Sequence, residues 1–299
     1  MDGILNINKP PGITSFYVVA RVRSLTGEKR VGHAGTLDPD ATGVLPICLG
    51  KGTRVVEFLV DTTKVYRARI HLGIATDTGD KSGRVIRQRA TSGIEREHLE
   101  SLFSSFLGTV EQTPPMYSAV KHRGKRLYEL ARAGIEVERK SRAVQIHCLD
   151  LTEWQPPLAT LEIVCGKGTY VRTLVDDLGN VLGCGATLDS LSRLRCGVFD
   201  IGESVSLEMF DAACRHGCWQ HLVYPLDTVL LDWPAVVVGE RQCQLIRNGQ
   251  TLPLENELSE RGGGLNRLYC RAYSLDGSFL AVLRFNPGSN RWQPVKVFV

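Results

Sequence analysis

Apolar and polar residues alternate along most of residues 64–73. Tyr66, Ala68, Ile70 and Leu72 fall on one side of the alternation, and arginine and histidine side chains fall on the other. A two-residue period is typical of a half-buried strand, so this segment predicts a strand with one apolar and one basic face. From the pattern alone, Tyr66 is a core residue with its hydroxyl at the rim.

Other segments show strand and helix periods in mixed order. Strands are predicted at residues 3–8, 144–149, 158–165 and 183–195. Helices are predicted at residues 14–27 and 95–107, and a third helix is predicted to begin within residues 166–173 and to run to about Leu182. The core-facing side chains of the first two helices are predicted to be Phe16, Val19 and Ala20, and Leu99, Leu102, Phe103 and Phe106, respectively. The turn-rich residues 76–80 are predicted to be scaffold.

Residues 31–43 are predicted to form an irregular loop, because three glycines and a proline interrupt any helix or strand. The loop holds one imidazole and two carboxylates, those of His33, Asp38 and Asp40. Such aspartates usually form Asx turns that cap a connection. Leu37 and the apolar run at residues 44–49 would instead hold the loop against the core, where a carboxylate needs a partner or a chemical task.

Composition indicates a soluble globular protein with one sizeable domain and a small one. The chain has 299 residues, of which 43% are hydrophobic and 23% charged. The first twelve residues do not resemble a signal peptide, and no apolar run approaches the roughly 18 residues that span a bilayer. Nine cysteines at irregular spacings fit a reducing compartment. We therefore expect a cytoplasmic protein without membrane contact.

A metal site is not expected from the cysteine and histidine pattern. On a helix, Cys214, Cys218 and His221 would share one face, but Gly217 interrupts that helix and no distant pair completes a tetrahedron.

Positive charge is concentrated in one segment. The net charge of the chain is +4, whereas residues 114–142 carry eight basic and three acidic side chains, which leaves −1 for the rest. This distribution is typical of a phosphate-binding element, although a charged run is more often a solvated face.

Gly-Lys-Gly-Thr occurs at residues 50–53 and 166–169. Neither copy has the spacing of a phosphate-binding Walker loop, so no nucleotide cofactor is expected. Arg172 falls in the first turn of the predicted helix, where the positive end of the helix dipole disfavours a cation. It is therefore expected to have an anionic partner, the alternative being an exposed surface arginine.

The segment from Gly32 to Thr53, with its Leu-Asp-Pro triplet at residues 37–39, resembles the catalytic motif of bacterial tRNA pseudouridine synthases of the T-loop uridine class. Further segments similar to motifs of this family follow the family's order, at residues 3–15, 64–66, 114–134, 168–173 and 190–194. Several weak motifs in the right order are far more specific than any one of them.

The resemblance implies roles for particular residues. Asp38 would be the catalytic carboxylate, Arg172 its ionic partner, and Tyr66 the ring that stacks on the target base. The other substrate-binding residues implied are His33, which would hold the T-loop, Tyr170 and Leu191, which would wall the base pocket, and Lys9, in a Lys-Pro pair behind the active site. Asp40 has no implied role.

The resemblance also implies an α+β pseudouridine synthase fold over residues 1–232, with a large, mixed, mainly antiparallel sheet flanked by helices. A basic thumb would be inserted at residues 113–142, with Lys121, Arg123, Lys125, Arg126 and Arg132 as its RNA contacts. Beyond a linker at residues 231–234, short strands divided by Asn248-Gly249, Gly262-Gly263-Gly264 and Asp276-Gly277 predict a small β-barrel. This region, residues 235–299, resembles the PUA-like RNA-binding domain of such enzymes.

The implied activity is isomerisation of the T-loop uridine at tRNA position 55 to pseudouridine by base flipping. Breaking the C–N bond and rejoining uracil through C5 involves no redox change or net hydrolysis, so no cofactor is expected. The implied partner is the tRNA T-stem-loop, bound by a monomer. Two alternatives are an RNA-binding or tRNA-folding protein without essential catalysis, and a synthase acting on ribosomal RNA or directed by a guide RNA.

Overall fold

A computed structural model describes residues 1–253 and 268–298 of the chain. Its strands are β1 (Gly3–Lys9), β2 (Val31–His33), β3 (Thr42–Leu49), β4 (Lys64–Leu72), β5 (Ile74–Thr76), β6 (Val85–Gln88), β7 (Gly108–Gln112), β8 (Lys121–His122), β9 (Lys125–Arg126), β10 (Arg142–Gln155), β11 (Leu158–Cys165), β12 (Ala186–Cys196), β13 (Phe199–Asp200), β14 (Val205–Ser206), β15 (Val223–Tyr224), β16 (Ala235–Val238), β17 (Tyr269–Ser274), β18 (Phe279–Asn286) and β19 (Arg291–Val297). Its helices are α1 (Ser15–Thr26), α2 (Val56–Val60), α3 (Arg96–Leu102), α4 (Leu127–Arg132), α5 (Val171–Val181), α6 (Leu207–Arg215) and α7 (Glu240–Arg247).

Eleven strands from the first three quarters of the chain form one mixed sheet. Its main path runs β14-β1-β3-β12-β4-β11-β10-β7, with β2, β13 and β15 pairing at its sides. Most neighbours are antiparallel, while β12 pairs with β3 and β1 with β14 in parallel. This arrangement confirms the predicted α+β fold with a mainly antiparallel sheet.

Strand β12 enters the sheet between two strands that precede it in the chain. It pairs with β3 on one side and with β4 on the other, so Arg193 lies beside both Gly43 and Tyr66. Hydrophobic clusters under α1 and α6, and under α3 and α5, cover different parts of the sheet. Tyr66 and Leu191 pack against both clusters and therefore lie at the boundary between them.

Two predicted helices differ from the structure. In α1 the buried residues are Ser15, Val18, Val19 and Val22, whereas Phe16 is 67% exposed and Ala20 is exposed, so two of the three predicted core residues were wrong. The reason is a tertiary contact, because the Ser15 hydroxyl bonds the Leu37 backbone and turns this face inward. The second helix ends at Leu102 and continues as a 3₁₀ turn over Phe103–Phe106.

The C-terminal part forms a separate four-stranded sheet in the order β16-β17-β18-β19. Asp276-Gly277 connects β17 to β18 as predicted, but Asn248-Gly249 ends helix α7 and does not divide strands. Helical spacing explains the difference, since Cys243 and Ile246 of α7 face the core from one side. The predicted turn at Gly262-Gly263-Gly264 lies outside the described residues.

The segment predicted as a linker takes part in packing. The centroid of the Trp233 ring lies 5.1 Å from that of Phe58 in α2 and 5.0 Å from that of Tyr269 in β17. Trp233 therefore packs between helix α2 and the second sheet.

None of the helices in residues 1–253 and 268–298 is long and apolar enough to cross a membrane.

Candidate active site

The Asp38 loop is shorter than predicted. Residues 31–33 form β2 and pair with β3, which itself begins at Thr42, so only residues 34–41 are irregular. Leu37 is buried, and its backbone N–H and C=O both bond the Ser15 hydroxyl, at 2.9 and 3.0 Å. The apolar neighbour thus anchors the loop to α1, and Asp38 stands directly beside that anchor.

Lys9 also contacts the Asp38 loop, through a hydrogen bond to the Pro39 carbonyl. Its ammonium is buried and donates to the carbonyls of Pro10, Ile13 and Pro39, at 2.8, 2.7 and 2.8 Å. Burial lowers the pKa of Lys9 to about 8, and the nearby carboxylates of Asp40 and Asp38 oppose that shift. Because three carbonyls occupy the ammonium, Lys9 is placed to position the loop. Its implied role in substrate binding stays a prediction.

Arg172 is brought to Asp38 by helix α5. It lies in the first turn, is only 6% exposed, and its Nε is 3.0 Å from Asp38 Oδ2. The alternative of an exposed surface arginine is therefore wrong. The Asp38 side chain remains 44% exposed, so the pair stands at a surface opening, with the guanidinium inside and the carboxylate toward the outside.

The remaining guanidinium nitrogens of Arg172 contact two segments to which sequence reasoning assigned no part in the site's chemistry. Nη1 lies 3.6 Å from Asp80 Oδ2 and donates to the Thr78 carbonyl at 3.3 Å, while Nη2 donates to the Tyr117 carbonyl at 2.7 Å. Asp80 belongs to the turn predicted as scaffold, and Tyr117 to the thumb. No local signal distinguishes a turn aspartate from a site aspartate, since both favour turns.

The pKa of Asp38 reflects opposing influences. Burial raises it most strongly, the charge of Arg172 lowers it, and the like charge of Asp80 raises it. The balance leaves the pKa of Asp38 above its ordinary value. Arg172 therefore offsets only part of the free-energy cost of burying the ionised Asp38 carboxylate.

Asp38, Arg172 and Leu191 line one surface depression together with Asp80, Ala41 and Ser190. Tyr66 and Leu191 each pack against both core clusters. Tyr170 immediately precedes α5 and is partly buried. The structure thus brings Leu191 to the Asp38–Arg172 pair, while Tyr170 lies two residues before Arg172 and Tyr66 lies on β4 outside the lining of the depression.

His33 lies at the start of the Asp38 loop, near a buried arginine, Arg193, that sequence reasoning missed. Arg193 donates to the carbonyls of Val44 at 2.7 Å and Gly35 at 3.0 Å. Burial lowers the pKa of His33, and the charge of Arg193 lowers it further. Burial raises the pKa of Tyr66, and Arg193 opposes this. Arg193 thus supports the loop and favours neutral His33.

The thumb presents its basic residues on a short hairpin followed by α4. Strands β8 and β9 are joined by Arg123 and Gly124, with φ values of +48° and +86°. Two positive φ values match the tight hairpin turn that follows the twist of the strands. The five predicted RNA contacts are all exposed, namely Lys121, Arg123, Lys125, Arg126 and Arg132.

Helix α6 ends at Arg215, so Cys218 and His221 do not continue its face. Within the described ranges, no group of three or more histidine, cysteine or acidic side chains is placed to hold a metal ion.

Replacing Lys9 with methionine is expected to lower the free energy of unfolding by about 3 kcal/mol, because the variant loses three charge-assisted hydrogen bonds to partly buried carbonyls. The rate of any reaction that Asp38 carries out should also fall, because the Asp38 loop loses its support. Chemical denaturation and single-turnover rates on folded protein measure the two effects.

Lys64→Met is the matched control for this variant, since Lys64 is also buried and bonds the carbonyls of Leu59, Val60 and Thr62. It should lose stability but retain the rate. An equal loss of rate in both variants would contradict a loop-specific role for Lys9.

Comparisons with solved structures identify the class. The described fold matches a chain in the crystal structure of a Cbf5-Nop10-Gar1 complex, with a TM-score of 0.73 and 22% identity over 99% of this chain and 84% of that chain. A chain in an H/ACA RNP bound to a substrate RNA containing 2'-deoxyuridine matches with a TM-score of 0.72 and 21% identity, over 99% and 85% of the two chains. The chain has the pseudouridine synthase fold.

Sequence comparisons narrow this class to a family. The model for the N-terminal domain of the TruB family pseudouridylate synthases matches residues 23–171, and that for the tRNA pseudouridylate synthase B C-terminal domain matches residues 172–232. The tRNA pseudouridine synthase B of Dehalococcoides mccartyi strain CBDB1 is 42% identical over all of this chain and 97% of its own length. That of Clostridium kluyveri is 42% identical over all of both chains, and that of Geobacillus thermodenitrificans 44% identical over 88% and 89%. The chain belongs to the TruB family of pseudouridylate synthases.

Proposed function

We propose that this enzyme isomerises the T-loop uridine of tRNA, position 55, to pseudouridine, with Asp38 as the catalytic carboxylate. The observation that carries the proposal is the 3.0 Å contact between Arg172 and Asp38, made at a surface depression. Asp38 is open to a substrate on one side and held by a buried cation on the other. This is the arrangement that a carboxylate acting on a bound ligand requires.

The target uridine must leave its stack before Asp38 can reach it, at a cost of a few kcal/mol. Tyr66 and Tyr170 provide rings that can stack on the flipped base, and Leu191 provides an apolar wall that excludes water from it. Exclusion of water matters because the detached uracil must not escape before it rejoins the ribose. His33, neutral beside Arg193, is placed to hold the rearranged loop of the RNA.

Asp38 has three possible roles in the first step. It can attack uracil C6, attack ribose C1′, or remove the C2′ proton to give a glycal. In each case the C1′–N1 bond breaks, C1′ bonds C5, the C5 proton is lost to solvent, and N1 gains a proton, so the product is an isomer of the substrate.

Loss of the C5 proton provides the direct test. A T-arm RNA carrying tritium at C5 of uridine 55 should release tritium when mixed with the purified chain alone, in the absence of guide RNA or further protein. An RNA with the tritiated uridine in the stem is the matched control and should release none. Failure to release tritium from the T-loop uridine, with the RNA bound, would contradict the proposed activity.

The same experiment separates the alternative functions. Binding without release would favour an RNA-binding or tRNA-folding protein, and release only from another RNA would change the substrate. Release that depends on added guide RNA would favour guide-directed modification.

We also propose that residues 113–142 act as an RNA-binding thumb and residues 235–299 as a PUA-like RNA-binding domain. The five basic side chains of the thumb are exposed on a small hairpin and helix, where they can reach phosphates. The thumb is joined to the site itself, because its Tyr117 carbonyl accepts from Arg172.

Removing two charges from the thumb hairpin is expected to raise the Kd for T-arm RNA about tenfold at 0.1 M salt. The variant is Arg123→Asn with Lys125→Gln, since asparagine tolerates the positive φ of position 123. The slope of log Kd against log salt should decrease by about 1–2. Fluorescence anisotropy over a salt series measures both.

The control for the thumb variant is Arg96→Gln, which removes an exposed arginine paired with Glu100 on α3. Its Kd and salt slope should match those of the wild type. An unchanged salt slope in the thumb variant would show that the hairpin does not contact phosphates.

We propose, finally, that the enzyme acts as a monomer in the cytoplasm. All nine cysteines are free, and most are buried as small apolar residues, which fits a reducing compartment. Light scattering of the purified chain tests the monomer.

A further inference from the structure

The side chain of a buried glutamine forms hydrogen bonds with both backbone polar groups of the residue that precedes helix α5. Gln112 is the last residue of β7 and is only 2% exposed. Its side-chain oxygen accepts from the Tyr170 N–H at 2.9 Å, and its amide nitrogen donates to the Tyr170 carbonyl at 3.3 Å. Both backbone groups of one residue are therefore held by one side chain from a distant strand.

These two hydrogen bonds are made at the N-terminus of α5, where backbone N–H groups depend on partners outside the helix. Tyr170 is the N-cap of α5, and its carbonyl also accepts the first helical bond, from the Leu174 N–H at 3.1 Å. Arg172 follows two residues later. Any shift or rotation of the first turn of α5 would therefore move the guanidinium that pairs with Asp38.

A second contact links the same two parts of the molecule. Arg172 Nη2 donates to the Tyr117 carbonyl at 2.7 Å, and Tyr117 lies five residues beyond Gln112 in the thumb. The end of β7 thus holds the backbone at the start of α5, while the thumb holds the arginine side chain that this helix carries. Gly79 lies near the Arg172 backbone as well, since a Cβ at position 79 would come within 3.7 Å of the Arg172 carbonyl oxygen.

We propose that Gln112 is a positioning residue for catalysis, which sets the first turn of α5 so that Arg172 meets Asp38 in the reactive geometry. The inference rests on the proposed function of the Asp38–Arg172 pair. Gln112 touches neither substrate nor Asp38, and it acts through Tyr170 and Arg172. A displacement of about 1 Å in a catalytic group can cost roughly 10²-fold in rate.

The test replaces Gln112 with methionine, which keeps the length and most of the volume but removes both hydrogen bonds. With enzyme in excess over T-arm RNA, the single-turnover rate is expected to fall about 10- to 100-fold, while the Kd for RNA changes less than threefold. The fall of the rate at low pH, which is the acid limb of the pH–rate profile, should also move to higher pH, because a displaced Arg172 lowers the pKa of Asp38 less.

Gln145→Met is the matched control. Gln145 lies on β10, which pairs with β7, and its exposed side chain bonds only the Thr109 hydroxyl among the described residues. Its rate and acid limb should equal those of the wild type. Rates are measured well below the melting temperature of each variant, so that a loss of stability alone does not lower them.

A second measurement does not depend on activity. The carboxyl carbon of Asp38 is titrated by NMR in the RNA-free protein, and its pKa should be higher in Gln112→Met than in the wild type. If the wild type lacks activity, the proposed function fails while this titration still decides the role of Gln112. If Gln112→Met does not fold, Gln112→Asn, which is one methylene shorter and equally uncharged, takes its place in the same titration.

A folded variant with the wild-type rate and the wild-type Asp38 pKa would overturn the proposal. Gln112 would then be a structural residue that stabilises the helix start and nothing more.

Discussion

Replacing Asp38 with asparagine is expected to lower the rate of pseudouridine formation at least about 10³-fold, with no comparable loss of RNA binding. Asparagine has nearly the same shape but cannot act as a nucleophile or a base. Asp38 is 44% exposed, so the fold should tolerate the change, and Arg172 keeps the Thr78 and Tyr117 carbonyls as partners. Tritium release and RNA affinity, measured on the same preparation, separate the two effects.

The neighbouring Asp40 provides the control for this prediction. It lies in the same loop and lines the same depression, and Asp40→Asn removes one negative charge as Asp38→Asn does. We expect at most a several-fold change in rate. Similar losses in both variants would mean that the loop needs negative charge in general, and that Asp38 has no particular chemical role.

Replacing Arg172 with alanine is expected to lower the rate about 10²- to 10³-fold and the free energy of unfolding by about 2–3 kcal/mol. The loss of stability is smaller than for a fully buried ion pair, because water partly solvates Asp38. Asp80 and the Thr78 and Tyr117 carbonyls also lose their partner. Denaturant unfolding and single-turnover kinetics measure the two losses.

The pH dependence of the Arg172→Ala variant follows from the direction of the Asp38 pKa. In the wild type this pKa lies above the ordinary value, so the folded state favours the protonated acid. The stability that protonated Asp38 contributes is fully present at pH values below the pKa of Asp38 in the unfolded chain, and it is lost as pH rises through the pKa of Asp38 in the folded protein. Without Arg172 the folded pKa rises further, so the variant's loss of stability should grow with pH and its acid limb should move to higher pH.

The exposed pair between Arg21 and Asp211 is the control for stability, with Arg21 Nη2 2.9 and 2.6 Å from the two carboxylate oxygens. Arg21→Ala should change the free energy of unfolding by less than about 1 kcal/mol, with no effect on the acid limb. Equal stability of Arg172→Ala and the wild type would argue against a tightly held pair at the site.

The sequence by itself determined the elements whose signals are local. The alternation over residues 64–73 predicted β4 and the inward face of Tyr66, because side chains in a strand alternate between its faces. The motif order led to Asp38, Arg172 and the family. Charge concentrated at residues 114–142 predicted a basic, solvated segment, and the structure exposes its five predicted RNA contacts.

Only the tertiary structure decided which distant groups meet. Lys9 and Arg193 are buried cations that hold carbonyls, while Asp80, Gln112 and the Tyr117 carbonyl surround Arg172 and its helix. Their local sequences are those of ordinary strands and turns. The inward face of α1 was likewise set by the two hydrogen bonds between the Ser15 hydroxyl and the Leu37 backbone. Such contacts depend on which elements pack together, and the periodicity of a single segment carries no information about its partner.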